Sequence, residues 1–129
     1  MSNYPSDLLY TEDHEWVRFD KAAGVATVGI THYAQSELGD IVYVEVETEG
    51  ESLNRGDVFG TVEAVKTTSE LFLPVAGQVI EFNGSLESEP EQINESPYKD
   101  GWIIKVKLDD ETELEALLNA EAYMAEIGA

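Results

Sequence analysis

The chain contains no cysteine. This excludes a disulfide framework and any thiolate metal site, so redox chemistry would have to come from a group the sequence does not encode. Cations are also scarce: 7 Lys and Arg stand against 27 Asp and Glu in 129 residues, a formal charge of -20. Phosphate backbones and anionic bilayers are bound by clustered Lys and Arg, so nucleic acid and membrane are excluded as main partners. The same charge steers the molecule toward basic rims on other proteins, although solubility or a saline habitat accounts for it equally well. Histidine is limited to His14 and His32, no Gly-x-Ser-x-Gly elbow is present, and no Asp-x-Asp loop or helical His pair offers a metal site. An ordinary enzyme is therefore disfavoured. No apolar run is long enough to cross a bilayer, and Met1 to Asp7 form neither a basic nor an apolar leader, so a soluble, cytoplasmic protein is expected.

What is present reads as one mainly β domain over residues 1–129, large enough to bury about two-thirds of its extended surface without staples. Short alternating segments rich in β-branched and aromatic residues predict strands over 16–19, 25–30, 41–46, 58–65, 69–73, 78–82 and 102–108. Their close spacing predicts a mostly antiparallel architecture. Gly39-Asp40-Ile41-Val42 and Gly56-Asp57-Val58-Phe59 open strands in the same way, which suggests two similar strand-turn units. Ile30, Ala34 and Leu38 predict a short helix over 31–38 with Gly39 as a left-handed cap. A C-terminal helical segment is expected over about 110–128. There Asp110 with Glu113 resembles a capping box, and Asn119 caps a second helix with Tyr123, Met124 and Ile127 on its apolar face.

Within the 58–75 hairpin, the two strands meet at Val65-Lys66-Thr67, so one of only five lysines is expected at an exposed tip between Glu63 and Glu70. Turn lysines are common, and position alone does not assign a function. The neighbours do more. Glu63-Ala64-Val65-Lys66 followed by Ser69 and Pro74-Val75-Ala76-Gly77 resembles the lipoyl-attachment hairpin of the glycine cleavage system H proteins. The resemblance extends, in the family's order, to His14-Glu15-Trp16, Val28-Gly29-Ile30-Thr31, Ala34-Gln35, Leu38-Gly39-Asp40 and Asn94-Glu95-Ser96-Pro97-Tyr98 leading to Gly101-Trp102. Thr67-Thr68-Ser69 replaces the family's usual Ala-Ala-Ser or Ala-Thr-Ser, Glu70 stands where Asp is frequent, and Glu37 where some relatives carry histidine.

The resemblance implies a lipoyl-domain-like, antiparallel β-sandwich or barrel-sandwich hybrid with lipoic acid joined to Lys66 as an amide. It implies a carrier, not an enzyme, that shuttles the aminomethyl group of glycine. The expected partners are a pyridoxal-phosphate glycine decarboxylase, a folate-dependent aminomethyltransferase, dihydrolipoamide dehydrogenase, and a lipoate ligase or a lipoyl or octanoyl transferase. Glu15 and Glu70, with Asp13 nearby, are expected to line a groove that shelters the loaded arm. Glu63 is expected to help the lipoylating enzyme recognise the hairpin, and Ser69 to belong to the same attachment motif. His14 reads as a turn residue and Trp16 as core. Carriers leave each partner quickly, so a monomer with transient contacts is expected. Three rivals remain open: a lipoyl domain of a 2-oxoacid dehydrogenase complex, a carrier that relays lipoyl groups, and an acidic structural or interaction protein. Biotin attachment is the poorer fit, because Val65 and Thr67, not Met, flank the lysine.

Overall fold

The computed structural model describes residues 4–128. Its strands are β1 (Leu9–Tyr10), β2 (Glu15–Asp20), β3 (Val25–Ile30), β4 (Ile41–Glu45), β5 (Ser52–Leu53), β6 (Val58–Ala64), β7 (Thr68–Phe72), β8 (Gly77–Phe82) and β9 (Ile104–Leu108). They form a six-stranded sheet in the order β1-β2-β3-β9-β8-β5 and a three-stranded sheet in the order β4-β6-β7. Every pairing is antiparallel. Helix α1 (His32–Leu38) follows β3, α2 (Gln92–Glu95) precedes β9, and α3 (Ala120–Ile127) ends the described chain.

Alternation decides which side chains meet. Along β3 the residues Ala26, Val28 and Ile30 are buried, and along β9 Ile104 and Val106 are buried. These pack with Val44, Phe59, Val62 and Leu71 of the smaller sheet into one core, so the two sheets enclose a shared interior. Trp16 is fully buried, as expected. It lies opposite Gly29, where an added Cβ would fall 2.7 Å from the indole, so the missing side chain makes the slot for the ring. A second, aromatic cluster forms from Tyr4, Leu8, Tyr10, Trp16, Ala120 and Tyr123. It joins the first described residues to α3, and Tyr10 and Leu118 exchange backbone hydrogen bonds of 2.7 and 2.8 Å beside it.

Besides the short elements β1, β5 and α2, which have no counterpart in the sequence reading, the structure departs from expectation at three element ends. β9 begins at Ile104, not at 102, because the Trp102 and Asp100 carbonyls accept from the Asn83 side-chain amide and are drawn out of the ladder. Gly39 has φ 83° but ψ -158°, so it is not the expected left-handed helical cap, although its N–H still closes on the Gln35 carbonyl at 2.9 Å. The expected helix starting at Asp110 is instead a 3₁₀ helix, Glu111–Ala116, followed by an extended break at Leu117. The Asp110 carboxylate does cap it, but Glu113 turns away to accept from the Ala76 N–H at 2.8 Å, so no reciprocal capping box forms. Asn119 caps α3 as expected, accepting from Ala122 N–H at 2.8 Å.

Candidate functional site

The β6–β7 hairpin pairs Thr61 with Glu70, Val62 with Ser69 and Glu63 with Thr68, which leaves Val65, Lys66 and Thr67 at the tip. Two-residue hairpin tips usually use residues with positive φ. Here His14 is the only described non-glycine residue with positive φ, so the tip turns without left-handed residues. It is held by two backbone bonds, Ala64 N–H to the Thr67 carbonyl at 2.8 Å and Val65 N–H to the Asp40 carbonyl at 3.1 Å. The Asp40 loop is fixed in turn by Asn94. Its Oδ1 accepts from Ile41 N–H at 2.9 Å, and its Nδ2 donates to the Gly39 carbonyl at 2.9 Å and to Gln35 Oε1 at 3.0 Å. Lys66 is exposed. Among the described residues it makes no ion pair; the one such pair is Lys105 with Glu81 at 3.9 Å, on the other sheet.

Beside the hairpin runs a groove of about 150 Å³ lined by Asp13, His14, Tyr33, Glu37, Leu38 and Glu70, among others. Ile30, Ala34 and Leu71 give it an apolar floor, and Ser69 stands at its edge with the hydroxyl donating to the Glu70 carbonyl at 3.4 Å. Ser69 to Leu71 lie three to five residues along β7 from Lys66, roughly 10–17 Å at the usual strand rise. Asp13, Glu37 and Glu70 are exposed acids around this floor. The groove therefore offers an apolar surface to a stem and negative charge to an amine. Glu63 is elsewhere, exposed and opposite Thr68 nearer the tip.

Glu15 departs from the expectation. It does not line the groove that holds Glu70; it is 2% exposed, and its Oε2 accepts from the Phe72 N–H at 2.8 Å. Its other oxygen meets the Thr11 hydroxyl at 3.4 Å. The cause is local: β2 starts at Glu15 and points it between the Thr11 turn and the end of β7, whose Phe72 amide needs an acceptor. Desolvation pushes the carboxyl up to about 8, against the lowering effect of the Phe72 N–H. Glu15 instead borders a neighbouring cavity of about 190 Å³ that also contains Arg55, and Asp13 lines both spaces.

Two groove features lie outside the sequence expectation. Glu37 faces the groove, and His14 is more than a turn residue. With φ 69° it occupies the turn as expected, but its Nδ1 is 2.9 Å from the Tyr123 hydroxyl, which in turn lies 2.8 Å from Thr31 Oγ1. The His14 ring also packs at 4.8 Å from the Tyr33 ring. Burial pushes the Tyr123 phenol up to about 12, which keeps its proton available to this chain of hydrogen bonds. Helix α3, from the far end of the sequence, thus braces the His14 side of the groove from behind. The signal that could have flagged it is the polar tip of Tyr123 on an otherwise apolar helix face.

Among the described residues, no group of three or more His, Cys, Asp or Glu is placed to hold a metal ion, and no helix is long and apolar enough to cross a membrane. A family model described as "Glycine cleavage H-protein" matches residues 8–128. A curated glycine cleavage system H protein from Bacteroides fragilis is 54% identical over 127 residues, covering 98% of this chain and 99% of that protein. The crystal structure of a glycine cleavage system H protein from Mycobacterium marinum superposes with a TM-score of 0.87 at 36% identity, covering 97% of this chain and 99% of that one. The braced lysine hairpin, the two-sheet architecture and full-length similarity agree, and the chain belongs to the glycine cleavage H-protein family.

Proposed function

We propose that Lys66 carries lipoic acid as an amide on Nζ and that the chain serves the glycine cleavage system as a lipoyl carrier, a tethered substrate and not an enzyme. The observation that carries this reading is an exposed lysine, free of ion pairs among the described residues, on a tip that two backbone hydrogen bonds hold in place. When attached, the lipoyl group supplies a strained disulfide that can be opened by an aminomethyl donor and later reoxidised. The protein's contribution is placement and shelter. Lys66 fixes the anchoring point, and Glu63, on the exposed side of β6, is read by the lipoylating enzyme. The apolar floor of the groove receives the stem of the arm, while Asp13, Glu37 and Glu70 meet a terminal amine. Glu15 supports that wall from behind by holding the end of β7. The partners in this reading are a glycine decarboxylase, an aminomethyltransferase, dihydrolipoamide dehydrogenase and a lipoate ligase or lipoyl transferase. A cysteine-free chain suits the role, because it holds no thiolate to attack the disulfide.

Intact-mass measurement after incubation with lipoate ligase, ATP and lipoic acid tests the site. Wild type is expected to gain one lipoyl group and Lys66→Arg none. Glycine-dependent carbon dioxide exchange with a glycine decarboxylase tests the role. A lipoylated chain that supports no exchange would overturn the role while leaving the attachment site standing.

A further inference from the structure

Five large apolar side chains are exposed among the described residues, and three of them, Val42 (51%), Tyr43 (45%) and Val65 (70%), gather at the lysine end of the small sheet. The other two do not belong to this group: Val58 lies at the opposite end of β6, and Ile80 is on β8 of the other sheet. Strict alternation along β4 would turn either Val42 or Tyr43 inward. The β4–β6 register prevents this, because Ile41 pairs with Ala64 and Tyr43 with Glu63, leaving Val42 as an unmatched bulge residue. Both side chains therefore face solvent beside the tip. Tyr43 also sits among carboxylates. Its hydroxyl is 3.5 Å from Glu45 Oε2, and Glu45 is the main cause of its raised phenol pKa, with Glu63 and Glu47 adding to it. The patch is thus apolar at its centre and acidic at its rim, next to an unpaired amine.

We infer that Val42, Tyr43 and Val65 form the docking surface for the enzyme that acylates the Lys66 amine, a partner with an apolar recess ringed by basic side chains. This rests on the reading of Lys66 given above. The chemistry selects this occupant over others. In the acylation step, neutral Nζ attacks the carbonyl carbon of a lipoyl group activated as a mixed anhydride with a nucleotide phosphate. The C–N bond forms, the C–O bond to phosphate breaks, the nucleotide leaves with that electron pair, and the amine proton passes to solvent. An enzyme performing this step must close over the tip, and Val65 is the residue directly before the lysine. Enzymes that process the far end of the arm work at a distance from the amine and need not cover it. A second copy of this chain is disfavoured as occupant, since it would set two acidic rims of molecules charged -20 against each other.

Initial rates of lipoylation of the apo-chain by lipoate ligase with ATP and lipoic acid test the assignment. Tyr43→Ser/Val65→Ser is expected to raise KM for the protein about tenfold with kcat within about twofold. Glu45→Gln/Glu47→Gln is expected to raise KM and weaken its dependence on salt. These positions are exposed, so thermal midpoints should stay near that of wild type. An unchanged KM in Tyr43→Ser/Val65→Ser would overturn the proposal. So would normal lipoylation coupled to loss of exchange with glycine decarboxylase, or a wild-type dimer in sedimentation that the double variant disperses. Absence of lipoate uptake by wild type would instead remove the reading of Lys66 itself.

Discussion

A carboxyl group held away from water keeps its proton to higher pH, and Glu15 is the clearest case here, pushed up to about 8 chiefly by desolvation. In the unfolded chain it would titrate near 4.5. Between those values the folded state holds a proton that the unfolded state releases, so the stabilising contribution is complete below about 4.5 and is lost as pH rises through about 8. Each pH unit within that window corresponds to at most about 1.4 kcal/mol. Chemical unfolding at a series of pH values should therefore show wild type losing stability relative to Glu15→Gln on going from pH 5 to pH 8. A constant difference would mean that Glu15 does not hold this proton. Tyr123 makes a second residue-level case. Tyr123→Phe removes the hydroxyl that meets both His14 and Thr31, and it should lower stability by about 1–2 kcal/mol in thermal unfolding while lipoylation at Lys66 proceeds normally. At this scale the sequence was uneven in what it revealed. Lys66 stands out because its signals are its own neighbours, whereas His14 and Tyr123 are 109 positions apart and no local pattern joins them.

At the scale of elements, the hairpin depends on a loop from another part of the chain. Asn94 lies in the Asn94-Glu95-Ser96-Pro97-Tyr98 motif, and the structure gives that motif a mechanical role. Asn94 fixes Gly39 and Ile41, Pro97 accepts from the Trp16 indole at 2.9 Å, and the Tyr98 hydroxyl accepts from His32 N–H at 2.9 Å. Asn94→Ala should destabilise the fold by about 2–3 kcal/mol, since it strands the Ile41 N–H and removes two further bonds. It should also speed amide hydrogen exchange at Val65 more than at Val106 in the distant sheet. Equal acceleration at both would point to global loosening instead. Strand positions were largely legible, and 25–30 matches β3 end to end, because alternation is a local property. The 3₁₀ helix at Glu111–Ala116 was not. Its Glu113 is claimed by Ala76, a tertiary partner that overrides the capping pattern.

Across the whole molecule, charge and topology follow different rules. The antiparallel β class was readable from spacing, but the sheet order was not, because β3 meets β9 through pairs such as Val28 with Ile104 that are distant in sequence. The formal charge of -20 has two expected consequences in solution. Moderate salt should raise the thermal midpoint by screening self-repulsion, and the same salt should slow encounter with basic partner enzymes. Stopped-flow association measured across ionic strengths checks the second, and a flat profile would show that steering is not electrostatic. The Val65–Asp40 bond has a consequence for the carrier's motion. With the proposed arm on Lys66, a base held to the body of the protein by this bond contributes little of the reach, and the excursion of the free end is set by the tether. A catalyst serving that proposed arm would then meet a nearly constant offset between the surface it grips and the point from which the arm extends.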